Sequence, residues 1–406
     1  MRLFVIGNIS AGKSYIIEKI KHILPDYKIL RIDDYRIEHC DGTLGKEIQM
    51  WNDFPKEVLK YDDVIVELSG GGRVAENVVR ELQDNSFVVL YVDASVDTCI
   101  ERSKTKDFKK TPYPKEFKEP IEETIKRLGK LFDNTILKLW SRAMKTIVVD
   151  SSVDVTRLPL LQYHELFKLK EVLKCYRGSL FTFGSTARGT MDNSSDVDTY
   201  FLCKEPKETI KNALSKSFDS VRLMQDEFVI RENGILVEMN YIDDIQKAIH
   251  FYSTGMIKNP YKSILKDDYY IIDELVAASS VEVDKEKEVS SIIERLDYYV
   301  ESLPRIAQKK DEYRYFFHNN IVIHEYVKLK AFLQDSFEFS YLPRNAKKYL
   351  TDDEWKTILY SFGDDMENHY NEVRLMCDDV IKKACEKYDN ENDLSEECQS
   401  CKGLHE

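Results

Sequence analysis

The chain opens on an apolar segment, Leu3–Ile6, that runs directly into Gly7-Asn8-Ile9-Ser10-Ala11-Gly12-Lys13-Ser14. These eight residues match the complete pattern G-x-x-x-x-G-K-S. Such a loop turns successive backbone N–H groups towards an anion, and a helix that begins near Lys13 adds the positive end of its dipole. Lys13 would contact the β- and γ-phosphates of a nucleotide, and the Ser14 hydroxyl would ligate Mg²⁺. A chance match is the less favoured alternative, because the flanking strand and helix both fit.

Residues 1–150 alternate strand-like and helix-like segments around this loop. Continuous apolar runs such as Val64-Ile65-Val66 and Val88-Val89-Leu90 are typical of strands that are buried on both faces of a parallel sheet. The sequence therefore predicts a doubly wound α/β domain. Its predicted strands are Leu3–Ile6, Lys28–Ile32, Val64–Leu68, Phe87–Val92 and Thr146–Asp150, and its predicted helices are Lys13–Ile23, Ala75–Leu82, Val96–Ser103 and Glu119–Ala143.

Two acids and an arginine follow the second predicted strand, in Asp33-Asp34-Tyr35-Arg36. In open α/β sheets, the carboxyl ends of the strands face the crevice that binds ligands. Asp33 could accept the proton of an acceptor hydroxyl there as general base, and Arg36 could hold an anionic group of the acceptor. The alternative is that Asp33 or Asp34 caps the next helix, and two acids allow both roles.

Two further segments are candidates for a part in phosphoryl transfer. Glu67, near the end of the third predicted strand, could hold a Mg²⁺-bound water, and Gly70 and Gly71 could let a substrate approach the backbone closely. A flexible turn is the alternative for the glycines. A group of basic residues could form a mobile lid or simply a solvated face. They are Arg102, Lys104, Lys106, Lys109 and Lys110.

A second signature lies in the middle of the chain, where Gly184-Ser185 is followed after ten residues by Asp196-Val197-Asp198. Alternation along a strand places Asp196 and Asp198 on the same face. Two adjacent carboxylates repel unless a cation lies between them. A Mg²⁺ ion held there could align attack on the α-phosphorus of a triphosphate. Gly184 and Ser185 would then donate hydrogen bonds to the β- and γ-phosphates.

Two more residues complete this predicted site. Arg188 is a candidate phosphate clamp. Glu238 lies in the apolar segment Ile235–Asn240, where an unpaired carboxylate on a buried strand would be costly. It could therefore ligate the metal or take the proton of the acceptor. The alternative is an edge strand from which Glu238 points to water.

The rest of the chain predicts two further domains and a tail. Strand candidates between residues 158 and 280 indicate an α+β domain, and long amphipathic segments between 286 and 390 indicate a helical bundle. The predicted domains are residues 1–152, 158–280 and 286–390, with a polar tail over 391–406. Cys398, Cys401 and His405 in that tail are ligand types that suit zinc, with Cys385 as a distant fourth, but a frayed tail without zinc is the favoured interpretation.

Charge and composition limit the classes of function. The formal net charge of −13 weighs against a general nucleic-acid binder and suits a cationic small substrate. No apolar run approaches the roughly 20 residues that a membrane span needs, and the N-terminus leaves no room for a signal peptide. Eight scattered cysteines are typical of reduced thiols. We therefore expect a cytoplasmic protein without a membrane partner, and the oligomeric state stays open.

The quoted motifs resemble two known groups of enzymes. Residues 1–150 look like a P-loop kinase of the nucleoside/polynucleotide kinase type, and Asp33–Arg36 is similar to the acceptor motif of phage-type polynucleotide 5′-kinases. That resemblance implies that Asp33 is the general base and that Arg36 contacts an acceptor phosphate. The glycines of Ser69–Gly72 look more like those of small-metabolite kinases.

The central stretch resembles the nucleotidyltransferase superfamily that includes DNA polymerase β and the antibiotic nucleotidyltransferases. The matching residues are Gly184, Ser185, Asp196, Asp198 and Glu238. The helical region after residue 286 resembles the C-terminal bundle of aminoglycoside nucleotidyltransferases. Within it, Tyr341–Lys348 is similar to a Tyr-x-Pro…Lys segment.

Three hypotheses for the function follow, in this order of preference. The first is a bifunctional transferase that uses Mg²⁺ with ATP or another NTP. It would phosphorylate one hydroxyl and attach a nucleotide, AMP in the first instance, to a hydroxyl of a small molecule such as an aminoglycoside-like antibiotic. The second is processing of RNA or tRNA ends by a polynucleotide 5′-kinase and a nucleotidyltransferase. The third is a nucleotide sensor without catalysis, which the intact Lys13, Ser14, Asp196 and Asp198 oppose.

Overall fold

The computed structural model describes residues 1–105, 111–117, 119–254, 256–281, 284–336, 346–361 and 366–392. Several predicted features lie outside these residues: Lys106, Lys109 and Lys110 of the predicted lid, Tyr341–Asn345, and the Cys398, Cys401 and His405 set. The chain forms two compact units. The first is Met1–Ala248 with Asn259–Glu274, and the second is Ile249–Lys258 with Leu275–Glu406. The predicted domain boundaries at residues 152, 158, 280 and 286 stay predictions.

A five-stranded parallel sheet forms the N-terminal part of the first unit, with the strand order β2-β3-β1-β4-β5. This arrangement confirms the predicted α/β fold with a parallel sheet. The strands are β1 (Arg2–Gly7), β2 (Lys28–Arg31), β3 (Val64–Glu67), β4 (Phe87–Val92) and β5 (Lys145–Val149). The helices are α1 (Lys13–Ile20), α2 (Ile32–His39), α3 (Leu44–Leu59), α4 (Gly72–Glu81), α5 (Val96–Ser103), α6 (Ile121–Leu131) and α7 (Leu137–Leu139).

Two parts of this domain differ from the sequence prediction. The sequence did not predict α3, which Thr43 caps by accepting a hydrogen bond from the Lys46 N–H, and which buries Met50 and Phe54. The single helix predicted over residues 119–143 is interrupted by a π-helical segment, Phe132–Ile136. After this interruption, the buried Trp140 donates from Nε1 to the Gly70 carbonyl at 2.7 Å, which ties the end of the segment to the sheet.

A six-stranded mixed sheet forms the rest of the first unit, with the order β11-β6-β7-β10-β9-β8. Its central pair, β7 and β10, is parallel, and its other neighbouring strands are antiparallel. The strands are β6 (Gly178–Thr182), β7 (Val197–Cys203), β8 (Ser220–Met224), β9 (Glu227–Glu232), β10 (Ile235–Ile242) and β11 (Ile264–Asp267). The next helices along the chain are α8 (Leu160–Leu173), α9 (Gly184–Arg188), α10 (Lys207–Ser215), α11 (Gln246–Tyr252) and α12 (Ile272–Ser279).

One apolar cluster joins the two sheets. Alternate residues of β1 enter different clusters, because successive side chains of a strand point to opposite faces. Phe4 and Ile6 pack with α3 and α4, whereas Leu3 and Val5 belong to a cluster that continues through α8 into the second sheet. Leu166 of α8 is 0% exposed within that shared cluster. The two sheets therefore share one core and form one compact unit.

Four helices dominate the second unit and confirm the predicted helical C-terminal region. The carboxylate of Glu354 accepts hydrogen bonds there from the Tyr326 hydroxyl at 2.7 Å and from Lys330 Nζ at 2.8 Å. Partial burial alone would raise the pKa of Glu354, but these bonds lower it to about 2. The helices are α13 (Lys285–Gln308), α14 (Glu312–Leu333), α15 (Asp352–Tyr360) and α16 (Met366–Asn392).

Among the residues that the structure describes, the six cysteines form no disulfide with one another. Within the same ranges, no helix has both the length and the apolar character that crossing a bilayer requires.

The shared core predicts that the two sheets unfold together. We expect Leu166→Ala to lower the free energy of unfolding by about 2–5 kcal/mol, because the substitution leaves a cavity in the cluster that both sheets use. Thermal unfolding followed by circular dichroism and by calorimetry would measure the change. Leu375→Ala is the matched control, because Leu375 is 71% exposed. Separate melting of the two sheets in the Leu166 variant would contradict the shared core.

Two candidate nucleotide sites

The first candidate site is the loop between β1 and α1. Lys13 Nζ donates to the loop carbonyls of Gly7 at 3.1 Å and Asn8 at 2.8 Å, so the ammonium group lies inside the turn. The Asn8 side chain, which is 4% exposed, donates to the Ile125 carbonyl at 2.9 Å and fixes the loop from outside. The Ser10 hydroxyl is buried without a hydrogen-bond partner among the described residues. The loop therefore presents a cation and an unsatisfied hydroxyl, which are the groups that a phosphate would engage.

Glycine is required at two positions of the loop. A Cβ on Gly7 would lie 2.6 Å from the Val92 carbonyl oxygen. Gly12 has φ +110°, and a Cβ on Gly12 would lie 3.0 Å from Ser151 Cβ. The remaining loop positions, Ile9 and Ala11, pack against the shared core. The loop is thus folded tightly onto β4 and onto the segment after β5.

A chain of polar contacts leads from the loop to α2. The Ser14 hydroxyl donates to Glu67 Oε1 at 2.8 Å, and Arg31 Nε donates to Glu67 Oε2 at 3.2 Å. Arg31 Nη1 also lies 3.8 Å from the Asp34 carboxylate. The Glu67 carboxylate therefore contacts both Ser14, the predicted metal ligand, and Arg31, the last residue of β2. The predicted base, Asp33, follows in the first turn of α2. Arg31, the register partner of Glu67, was not predicted from the sequence.

The predicted acceptor residues belong to a second polar cluster. β2 ends at Arg31 and α2 begins at Ile32, so Asp33 lies in the first turn of a helix rather than at a strand end. Neither Asp33 nor Asp34 is the N-cap, which is Arg31. The Asp33 side chain is 56% exposed, and its Oδ1 accepts from Arg36 Nη1 at 2.8 Å and from the Tyr113 hydroxyl at 3.2 Å.

Arg36 is held by carboxylates in this cluster. Its guanidinium is 7% exposed, and Nε and Nη2 donate to the buried Glu47 carboxylate at 3.0 Å and 3.1 Å. Nη1 donates to Asp33 and to the Tyr113 hydroxyl, and the Tyr113 ring lies 4.2 Å from the guanidinium carbon. Trp51 Nε1 fixes Glu47 in turn with a hydrogen bond of 3.0 Å. An anionic acceptor group would therefore have to compete with two carboxylates for Arg36.

The other predicted residues of this domain have structural contacts of their own. A Cβ on Gly70 would lie 3.0 Å from Ile6 Cβ, and one on Gly71 would lie 3.0 Å from Ile136 Cδ1, so packing explains both glycines. Substrate binding by Gly70 and Gly71 stays a prediction. Arg102 Nη1 donates to the Ala11 carbonyl at 3.0 Å, which places this predicted lid residue on the phosphate loop.

The second candidate site is a group of three acids on the mixed sheet. Asp198 on β7 and Glu238 on β10 are register partners of two parallel strands, and Asp196 immediately precedes β7. Carboxylate oxygens of Asp196, Asp198 and Glu238 all lie within 4.8 Å of one another. β10 is an interior strand, between β7 and β9, so the alternative of an edge position for Glu238 is wrong. The structure brings the three predicted acids together.

The chemistry of these donors fits a hard divalent cation. Oxygen ligands are those that Mg²⁺ prefers. Burial raises the pKa of Glu238, and the negative charges of Glu227 and Asp196 raise it further. A bound cation would oppose this effect by favouring the ionised form. The three acids could therefore hold Mg²⁺ and, with it, the phosphates of a nucleotide.

The turn that forms the start of α9 lies against these acids. Gly184 has φ +58°, and an ideal Cβ there would lie 1.9 Å from Asp198 Oδ2. Ser185 is 1% exposed, and its hydroxyl has no hydrogen-bond partner among the described residues. Arg188 Nε donates back to the Gly184 carbonyl at 3.0 Å, which closes the turn. The loop thus offers a close backbone approach and an unsatisfied hydroxyl beside the acids.

This geometry predicts a strict requirement for glycine at residue 184. We expect Gly184→Ala to weaken Mn²⁺ binding by about tenfold or more, because the methyl group would displace the Asp198 carboxylate; tenfold corresponds to about 1.4 kcal/mol. Mn²⁺ titration followed by electron paramagnetic resonance would measure the change. Gly234→Ala is the matched control, because Gly234 also has positive φ (+78°) but its Cβ would meet nothing within 4 Å. Equal Mn²⁺ affinity in both variants would contradict the proposed cradle.

Comparisons with known proteins find two kinds of domain in this chain. The family model described as nucleotidyltransferase domain matches residues 167–300. A shikimate kinase from Clostridium botulinum (strain Alaska E43 / Type E3) is 27% identical over 162 residues, which are 38% of this chain and 90% of that protein.

Solved kinases show only weak structural likeness. A shikimate kinase from Acinetobacter baumannii in complex with shikimate is 15% identical, with a TM-score of 0.28 over 37% of this chain and 83% of that one. A deoxyadenosine kinase from M. mycoides with bound dATP is 20% identical, with a TM-score of 0.26 over 41% of this chain and 98% of that one. These sequence matches show a kinase-like P-loop domain followed by a nucleotidyltransferase domain in this chain.

Proposed function

We propose that the protein is a Mg-NTP-dependent transferase with two activities on small-molecule hydroxyl groups. The first domain transfers the γ-phosphoryl group of ATP to a hydroxyl and releases ADP. The second transfers a nucleoside monophosphate, AMP in the first instance, from an NTP to a hydroxyl of an aminoglycoside-like polyol and releases pyrophosphate. The observation that carries the proposal is that the phosphate loop and the three-acid group occur in one compact unit as two separate sites. Each site has its own unsatisfied hydroxyl, on Ser10 and on Ser185.

In the kinase-like domain, Lys13, which donates to the loop carbonyls, would contact the phosphates of ATP, and Ser14, which donates to Glu67, would ligate Mg²⁺. Asp33 takes the proton of the acceptor hydroxyl, since its half-exposed carboxylate is oriented by Arg36 and Tyr113. Arg102, which already contacts the loop, screens charge during transfer. Bound Mg²⁺ would supply charge neutralisation at the phosphates.

In the nucleotidyltransferase domain, Asp196 and Asp198 would hold Mg²⁺, and Glu238 would act as a third ligand or receive the proton of the acceptor hydroxyl. Gly184 and Ser185 bind the β- and γ-phosphates, with Arg188 behind them. Mg²⁺ bound there would align the triphosphate and stabilise the charge that develops on it.

The contacts of Arg36 favour an acceptor without a negative charge for the kinase-like domain. Arg36, Asp33 and Glu47 together carry one excess negative charge, and Glu47 is buried at 4% side-chain exposure. The similar protein named shikimate kinase is named for an acceptor that has a carboxylate. In this chain, Arg36 is already paired with the carboxylates of Asp33 and Glu47. We therefore infer that the acceptor is a neutral or cationic polyol rather than a carboxylate. The net charge of −13 agrees with that class.

End processing of nucleic acids is the second candidate function. The observation that favours it is the direct contact between Asp33 and Arg36, the pair that the resemblance to polynucleotide 5′-kinases implies. In that function Arg36 would exchange its carboxylate partners for an acceptor phosphate. The affinity for RNA or DNA would then fall steeply with salt.

Separate substitutions should remove the two activities independently. We expect Lys13→Ala to abolish transfer from γ-labelled ATP and to spare transfer from α-labelled ATP, whereas Asp198→Asn should do the reverse. Each loss should exceed about a hundredfold, since each residue interacts directly with the phosphates or their metal. Loss of both activities in either variant, with unchanged thermal stability, would show that the sites are not separate.

An acceptor panel tests the inferred substrate class. We expect phosphorylation of neutral and amino polyols to exceed that of shikimate and of oligonucleotides with a free 5′-hydroxyl by about tenfold or more in kcat/KM, because only the anionic acceptors require Arg36 to leave its carboxylates. Transfer from γ-labelled ATP to each acceptor, with Arg36→Lys measured in parallel, gives the comparison. A preference for shikimate or oligonucleotides that disappears in Arg36→Lys would establish an anionic acceptor.

A further inference from the structure

A lysine of the kinase-like domain contacts the phosphate-binding loop of the other domain. Lys145 is the first residue of β5, at the edge of the parallel sheet. Its Nζ donates to the carbonyl oxygen of Gly189 at 2.8 Å. Gly189 ends α9, the helix that begins with Gly184 and Ser185. The two domains are therefore joined directly behind the second nucleotide site.

The ammonium group of Lys145 is committed to this contact. Burial lowers its pKa. Among the described residues, no carboxylate lies within 4 Å of its Nζ, so the ammonium group does not divide its hydrogen bonds between the Gly189 carbonyl and an ion pair. Carbonyls at the C-terminal end of a helix lack partners within the helix, and a cation placed there is favourable. Lys145 thus supplies a partner that the short helix does not provide for itself.

The helix between this contact and the acids is short and closely fitted. Gly189 adopts the left-handed conformation with φ +71°, and the Thr190 N–H donates to the Ser185 carbonyl at 3.0 Å. At the other end, Gly184 has no space for a Cβ beside Asp198. A displacement at Gly189 would therefore be transmitted over one turn to Ser185 and Gly184, which face the metal-binding acids.

We propose that Lys145 is a positioning residue for nucleotide binding at the second site. By fixing the Gly189 carbonyl, it holds α9 so that the Ser185 hydroxyl and the Gly184 backbone face the phosphates of a nucleotide bound at Asp196 and Asp198. The nucleotidyltransferase pocket is consequently completed by the kinase-like domain. This inference rests on the proposed nucleotidyl transfer at that site.

The test is direct nucleotide binding in a background without the first site. In the Lys13→Ala protein, binding of α,β-methylene ATP with Mg²⁺ is measured by calorimetry, with the corresponding GTP, CTP and UTP analogues in parallel. We expect Lys145→Met to raise the Kd of the preferred analogue about tenfold, and Lys145→Arg to restore most of the affinity because it keeps the donor. The same variants in the otherwise wild-type chain should raise the KM for the NTP in nucleotidyl transfer and leave the KM for ATP in phosphorylation unchanged.

A second contact between the domains provides the matched control. The Tyr27 hydroxyl bonds to His164 Nδ1 at 2.6 Å, which joins the kinase-like domain to α8 rather than α9. Tyr27→Phe should lower thermal stability as Lys145→Met does and leave the Kd unchanged. An unchanged Kd in Lys145→Met, or an equal rise in Tyr27→Phe, would overturn the positioning role alone. Absence of analogue binding in the Lys13→Ala parent would overturn the proposed nucleotidyl transfer together with this inference.

Discussion

Mutual repulsion of three carboxylates is the constraint around which the second site is built. Asp196, Asp198 and Glu238 place oxygens within 4.8 Å of one another, and such a group is stable when a cation neutralises it. The parallel pairing of β7 with β10 sets Asp198 directly beside Glu238, and Gly184 at the start of α9 fits against Asp198 without room for a side chain. The fold therefore keeps a costly arrangement of charge that binding of a metal and a nucleotide would stabilise.

The two candidate sites share structural elements. The apolar cluster that begins under β1 continues through α8 into the mixed sheet. β5 contributes to both sites, since Lys145 at its start contacts the loop at Gly189, and Ser151, just after its end, accepts a hydrogen bond from Arg102 beside the phosphate loop. Both candidate sites are thus built on one continuous core.

Local sequence patterns predicted the elements that carry their own signature. The phosphate loop is contiguous, and alternation with apolar neighbours identified Asp196, Asp198 and Glu238 before their contact was known. The environment of Arg36 was not predictable in this way, because its partner Glu47 lies on α3, whose interior Pro55 is a residue that normally interrupts a helix. The bond from Lys145 to Gly189 joins residues 44 positions apart and has no local signature.

The central claim is that one chain holds two separate nucleotide pockets, each with its own metal. The most direct measurement is the stoichiometry of a non-hydrolysable ATP analogue bound with Mn²⁺ at equilibrium. We expect two analogue molecules to bind per wild-type chain. One should bind per chain in each single variant, Lys13→Ala or Asp198→Asn, and none should bind in the double variant. A single analogue per wild-type chain that is lost in both single variants would contradict it.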